Sequence, residues 1–296
     1  MHWLIFALLG PILHGLANVI DNHFTNNLFK RTTTLIFFAS FTNVLFLPLI
    51  LLLDFPSLIT IQQIPFFIIL GFTGIGYLYP YYKALQNDDT SVVVSLFSLG
   101  KIFVPVFAFL LIGEILNTIQ YIGFFIIILS ATLLTLKGKQ KFKLNSSFFW
   151  MILCTIIIAF EVVIYKYVFT IVSWGTGFTW ATLFSFLFIL PLVFMTKTRH
   201  GIKSQIKTFK ENFRLFAFEE FLTFSGSAAF TFAISLTSVT LVSAISSFQP
   251  VIVLLYALIL GRFFPKVFKE NITKRSIIRK IILFIVMILG VIIILL

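Results

Sequence analysis

Apolar residues recur along this chain in runs of about twenty, separated by short polar segments. A helix that crosses a bilayer needs about 20 mainly apolar residues, because hydrocarbon offers the backbone no partner outside the segment. This rule predicts ten spans, near residues 2–21, 33–53, 64–86, 91–112, 118–136, 147–168, 177–196, 215–236, 240–261 and 278–296. The expected fold class is an all-α integral membrane protein. The first run has no basic start and no small-residue cleavage site, and nine more runs follow, so it is read as a span and not a signal peptide.

Composition agrees with the pattern. Hydrophobic residues make up 59 % of the chain and charged residues 11 %, where a soluble domain carries about 25 % charged residues. So few charges could not cover a molecular surface in water. The net charge of +12 raises the question of nucleic acid, but the basic residues lie between apolar runs and form no basic domain. The expected partners are the lipid bilayer and a small molecule, with no nucleic acid, and the chain acts as a monomer or homodimer. The single cysteine, Cys154, excludes a disulfide within the chain.

All Lys and Arg except Lys101 and Lys166 fall in segments that the ten spans place on one side. These are 30–31, Lys83 at the end of span 3, 137–143, 197–214 and 262–280. Basic loops favour the cytoplasmic side, so both termini are expected outside a plasma membrane. In 197–216, Ile202, Ile206, Phe209 and Phe213 recur at helical spacing among lysines, as in a helix lying on lipid headgroups. Phe263, Phe264, Val267 and Phe268 suggest the same after span 9.

The chain also repeats itself. A shift of about 147 residues lays Trp3 on Trp150 and His14 on Glu161. A shift of 148 lays Ser95 on Ser243, Ser98 on Ser246, Lys101 on Gln249 and Gly113 on Gly261. Two units follow, 1–138 and 139–296. Each holds five spans, an odd number, so the second enters the membrane in the opposite sense. Such inverted 5+5 repeats place a substrate site near the midplane, where the halves can rock against each other.

The stretch YYKALQNDDTSVVVSLFSLGKIFVPVFAFLLIGEILNTIQYIGFFIIILSATLLTLKG (81–138) has an Ala-Leu before a polar corner and a small-residue span ending in Gly-Glu. FAISLTSVTLVSAISSFQPVIVLLYALILGR (232–262) repeats it, with Pro250 in mid-span. In these features the chain resembles the drug/metabolite transporter superfamily, and within it the ten-helix EamA type. Arg262 departs from the pattern where the second half would carry Glu, and so does Ile102, where the first half would carry Pro. The resemblance implies a transporter of amino acids, sugars, nucleotide-linked compounds or drugs, and names no substrate.

Lys101 lies at the middle of span 4, where a charged residue costs about 2.5–3.5 kcal/mol and faces a cavity or a partner. With Ser98 on its own face, and Gln249 and Ser246 at the related positions of span 9, it is the candidate for binding an anionic group. The alternative is a structural ion pair with Glu161. Glu161 is also the candidate for proton coupling, since a carboxyl removed from water can exchange a proton near neutral pH. His14, Asn18 and Asp21 form one stripe of helix 1 after a Gly10-Pro11 break, and His14 and Asn18 join the substrate-binding set. Tyr77, Tyr79, Tyr81 and Tyr82 read as an interfacial belt, Asp21 as a charge near the headgroups, Trp3 and Trp150 as interface anchors, and Glu114 as a structural residue at a helix end.

No metal site, cofactor or catalytic residue is expected. The acidic pair Asp88-Asp89 stands in a tight corner, and no HExxH or Gly-x-Ser-x-Gly motif occurs. The function these features predict is transport of a small anionic or zwitterionic metabolite, such as an amino acid, by alternating access, with proton coupling at Glu161. The competing readings are a flippase for a lipid-linked anion and, from another class, an intramembrane enzyme.

Overall fold

The computed structural model describes residues 2–87, 90–135, 146–260 and 274–295, and among them every regular element is helical. Asp88, Asp89, the basic residues of 137–143, the boundary expected at 138/139, Arg262 and the aromatic run from Phe263 lie outside the described residues. The first described half runs through α1 (His2–His23), α2 (Thr32–Val44), α3 (Leu47–Leu51), α4 (Ile64–Gly76), α5 (Leu78–Asn87), α6 (Thr90–Gly100), α7 (Phe103–Ile112) and α8 (Thr118–Thr135). The rest comprises α9 (Ser146–Val168), α10 (Trp174–Ile189), α11 (Thr196–Glu211), α12 (Phe213–Leu236), α13 (Val239–Ser246), α14 (Gln249–Leu260) and α15 (Lys274–Leu295).

Five helical stretches are long and apolar enough to cross a membrane: His2–Leu28, Thr32–Leu51, Ile64–Asn87, Ser146–Val168 and Trp174–Phe194. The apolar stretches Leu96–Ile112, Thr118–Leu133, Val239–Val253 and Ile281–Leu295 are shorter. α12 has the length to span but is not among the five. Glu219, Glu220 and its many hydroxyl residues dilute the apolar run. In place of the ten spans expected from the sequence, the described residues show five clear ones and several that are shortened, broken or polar.

The breaks are local and have a common form. Between α6 and α7, Lys101 N–H donates to the Ser98 carbonyl at 3.3 Å and Ile102 N–H to that of Leu99 at 3.2 Å. Between α13 and α14, Ser247 N–H donates to Ala244 at 3.0 Å and Phe248 N–H to Ile245 at 3.1 Å. Each break is a short stretch of tighter winding that ends one helix and starts the next. Pro11 behaves differently: the expected break is absent, and α1 continues through it. There α1 lies tightly on α12, and a Cβ added at Gly10 would stand 3.3 Å from Phe230 Cβ.

Small residues allow the other close crossings, as where helices meet in lipid. Gly123 and Gly290 bring α8 against α15, with a Cβ on Gly123 meeting the Gly290 carbonyl oxygen at 2.8 Å. Gly71 does the same for α4 and α10. α11 forms the amphipathic helix expected beside the basic segment. It packs Phe209 flat on Phe38 with ring centroids 4.3 Å apart, and leaves Lys207 exposed.

At the end of the molecule opposite α11, groups from distant elements cap helix termini. Gly113, at φ +66°, closes α7 in the left-handed conformation that glycine adopts without strain. The turn swings Glu114 onto the start of α13, where it accepts from Ser238 Oγ at 2.8 Å, Val239 N–H at 3.1 Å and Thr240 N–H at 3.1 Å. Asp54 likewise accepts from Gly175 N–H at 2.6 Å and Ser173 Oγ at 3.3 Å at the start of α10. Lys166 donates to the carbonyls of Ile234 at 3.0 Å and Thr237 at 2.7 Å, at the end of α12. Each charge sits at the helix end of opposite dipole sign, which agrees with the structural role expected of Glu114.

Candidate functional site

The helices line a cavity of about 270 Å3, with walls from α1, α2, α4, α5, α6, α7, α9, α10, α12, α13 and α14. Lys101 reaches it because it stands in the break between α6 and α7, where the side chain leaves the packed helix surface. Its ammonium donates to Ser246 Oγ at the matching break of the other half. Gln249 lines the same wall and has no hydrogen-bond partner among the described residues. Ser98 is the exception in the expected set. It is fully buried and does not line the cavity, and its hydroxyl reaches the Ser247 carbonyl at 3.4 Å, tying the two breaks together.

His14 and Asn18 line the cavity from α1. His14 Nε2 lies 3.3 Å from the Thr223 carbonyl oxygen and 3.2 Å from Ser227 Oγ, so this nitrogen carries a hydrogen. The close approach exists because residue 226 is glycine: a Cβ there would stand 2.8 Å from the imidazole ring. Glu161 faces the cavity from α9, 9 % exposed, with no hydrogen bond and no ion pair among the described residues. Lys101 and Glu161 thus share a cavity without pairing, and the structural ion pair considered from sequence is not formed.

Two expectations are corrected. Asp21 is no headgroup charge but 5 % exposed, accepting from the Tyr81 hydroxyl at 2.9 Å and the Tyr82 hydroxyl at 3.3 Å. Tyr81 also donates to Asn18 Oδ1 at 3.0 Å. Of the expected tyrosine belt, Tyr77, Tyr81 and Tyr82 line the cavity and only Tyr79 is exposed. Tyr77 stands at the break between α4 and α5 and residues 78–82 lie in α5, one face of which is the cavity wall, so the cluster reads as interfacial only while that wall is unknown.

Sequence reasoning also passed over Glu219 and Glu220. Both are nearly fully buried in α12 and line the cavity. Asn43 Nδ2 donates to Glu220 Oε2 at 3.1 Å, and Thr223 Oγ1 to Glu219 Oε1 at 2.8 Å. The signal was available, since two adjacent acids inside a predicted span carry the same message as Lys101. Among the described residues, no His, Cys, Asp and Glu cluster suits a metal ion.

The EamA-like transporter family matches residues 1–136. A solved structure described as "Crystal structure of protein" aligns at 14 % identity over 98 % of this chain and 94 % of that one, with a TM-score of 0.68. That likeness is one of fold. No curated protein matches closely enough to serve as a relative.

Proposed function

We propose, from the premise that residues 1–136 are an EamA-like transporter unit in a multi-pass membrane protein, that this chain transports a small organic metabolite. It does so by alternating access of two inverted halves, and the substrate carries an anionic group bound by Lys101. One observation carries the reading: a cavity inside the helical bundle holds an ammonium, Lys101, with no carboxylate paired to it among the described residues. A charge is kept at such depth where a ligand compensates it.

Several features support the two-halved mechanism. The paired breaks at 101–102 and 247–248 lie in corresponding spans and meet through Lys101–Ser246 and Ser98–Ser247. Discontinuous helices of this kind line the midplane sites of transporters built from inverted repeats. Gln249, at the position related to Lys101, supplies neutral hydrogen bonding to the same ligand. Glu161, unpaired and facing the cavity, is the proton-coupling carboxyl. In this reading the chain is not an enzyme, the basic loops are cytoplasmic, both termini are outside the plasma membrane, and the units divide near 138.

The test is counterflow in proteoliposomes with a panel of labelled amino acids, carboxylates and sugar phosphates. A substrate loaded inside should accelerate uptake of the same labelled compound, and Lys101→Met should lose this for anionic compounds. Flux without trans-acceleration would identify a channel, and absence of flux for the whole panel would refute the substrate class.

A further inference from the structure

The cavity carries more acid than the anion-binding reading requires. Asp21, Glu161, Glu219 and Glu220 all line it, against one lysine. Asp21, Glu219 and Glu220 act on one another electrostatically, so they form one cluster. Carboxylates buried in their charged form without a cation are strongly disfavoured, and no Lys or Arg pairs with these three among the described residues. We propose that Asp21, Glu219 and Glu220 form a second subsite that binds a cationic nitrogen of the substrate, and that the substrate holds this nitrogen well apart from its anionic group.

Unsatisfied atoms at the subsite point to a ligand. Glu219 Oε2 is buried without a hydrogen bond. On the facing helix α2, the Ser40 hydroxyl is also buried without a partner, in a residue 9 % exposed that lines the cavity. An ammonium brings three donors and no acceptor, and both free oxygens can accept. Tyr81 and Tyr82, with ring centroids 5.1 Å apart, add aromatic surface beside the carboxyls, and aromatic faces attract a cation.

Two helices give the spacing. His14 lies within electrostatic reach of Lys101, and Asp21 follows seven residues later on α1, about 10 Å along the axis at 1.5 Å per residue. On α12, Ser227, which His14 contacts, and Glu220 are also seven residues apart. A ligand that reaches both Lys101 and the carboxyls must therefore hold its own charges apart along this length. An α-amino acid holds its own charges two bonds apart, each about 1.5 Å. The substrate class is therefore an extended amphoteric compound, such as an ω-amino acid or a basic amino acid bound through its side-chain nitrogen.

This deepens the transport reading and rests on Lys101 as the anion site. The experiment measures thermal shifts of the purified protein with 6-aminohexanoate, hexanoate, hexylamine and alanine. The expected result is that 6-aminohexanoate binds at least tenfold more tightly than the other three. Glu219→Gln/Glu220→Gln should reduce it to the level of hexanoate, and Lys101→Met to the level of hexylamine. Asp21→Asn serves as a second, single-site variant, each shift being read against that variant's own Tm. If hexanoate binds through Lys101 and the amino group adds nothing, the cluster proposal falls and the anion site stands. If the cluster variants change only the pH response of uptake and leave the amine preference intact, the carboxyls hold protons and the proposal is overturned. Equal binding of alanine overturns the spacing. Failure of Lys101→Met to matter for hexanoate refutes the anion site itself.

Discussion

Replacing Lys101 by methionine removes one ammonium and keeps most of the side-chain stem. Among the described residues that ammonium has one partner, Ser246 Oγ, which leaves its other hydrogens for a ligand. A hydrogen bond to a charged group contributes about 1.5–3 kcal/mol, so an anionic substrate should bind roughly ten- to a hundredfold more weakly. Gln249→Leu should do less, because it removes neutral hydrogen bonding only. The fold should survive Lys101→Met, since no carboxylate is stranded when the charge goes and removing a buried charge relieves its desolvation. Counterflow gives the first quantity and thermal unfolding the second. If Lys101→Met unfolds the protein and Glu161→Gln restores it, the two form a structural pair and the reasoning is wrong. Unchanged affinity for every anion tested would refute it equally.

Further predictions rest on other residues. Glu161→Gln should abolish uptake driven by an imposed pH gradient while leaving substrate binding within a few-fold; a mutant equally responsive to the gradient would remove Glu161 from coupling. Gly100→Ala would place its Cβ 2.1 Å from Thr155 Cβ, and should destabilise the protein by about 1–3 kcal/mol as overpacking does, with Thr155→Gly recovering the Tm in the double variant. A reporter fused at the C-terminus should read as external and one inserted near Lys141 as cytoplasmic, with the reverse pair of signals overturning the orientation.

Apolar run length and the spacing of basic segments made the helical membrane fold legible in the sequence, because lipid imposes that pattern on each segment separately. Lys101 stood out for the same reason, as a charge far from any loop. What the linear pattern could not carry is which face of a helix meets another. Tyr81 and Tyr82 look interfacial until α1 brings Asp21 within 3.3 Å of both hydroxyls. Ser98, three residues before Lys101, points to the opposite break and not into the cavity. Gly226 is unremarked in sequence, yet its missing side chain lets the His14 ring lie on α12. Glu219 and Glu220 were readable and were masked by their place near a span end, where charges are usually unimportant.

The caps at the end opposite α11 bear on speed. Glu114 and Asp54 come from the first half, and the helix starts that they hold, of α13 and α10, belong to the second. If the halves part at that end, as the proposed alternating access requires, these carboxylates must let go of the N–H groups they hold. A clasp of this kind behaves as a catch and not as a spring. On the transport reading proposed above, such a catch would keep closed and open forms distinct and set the dwell time before each release.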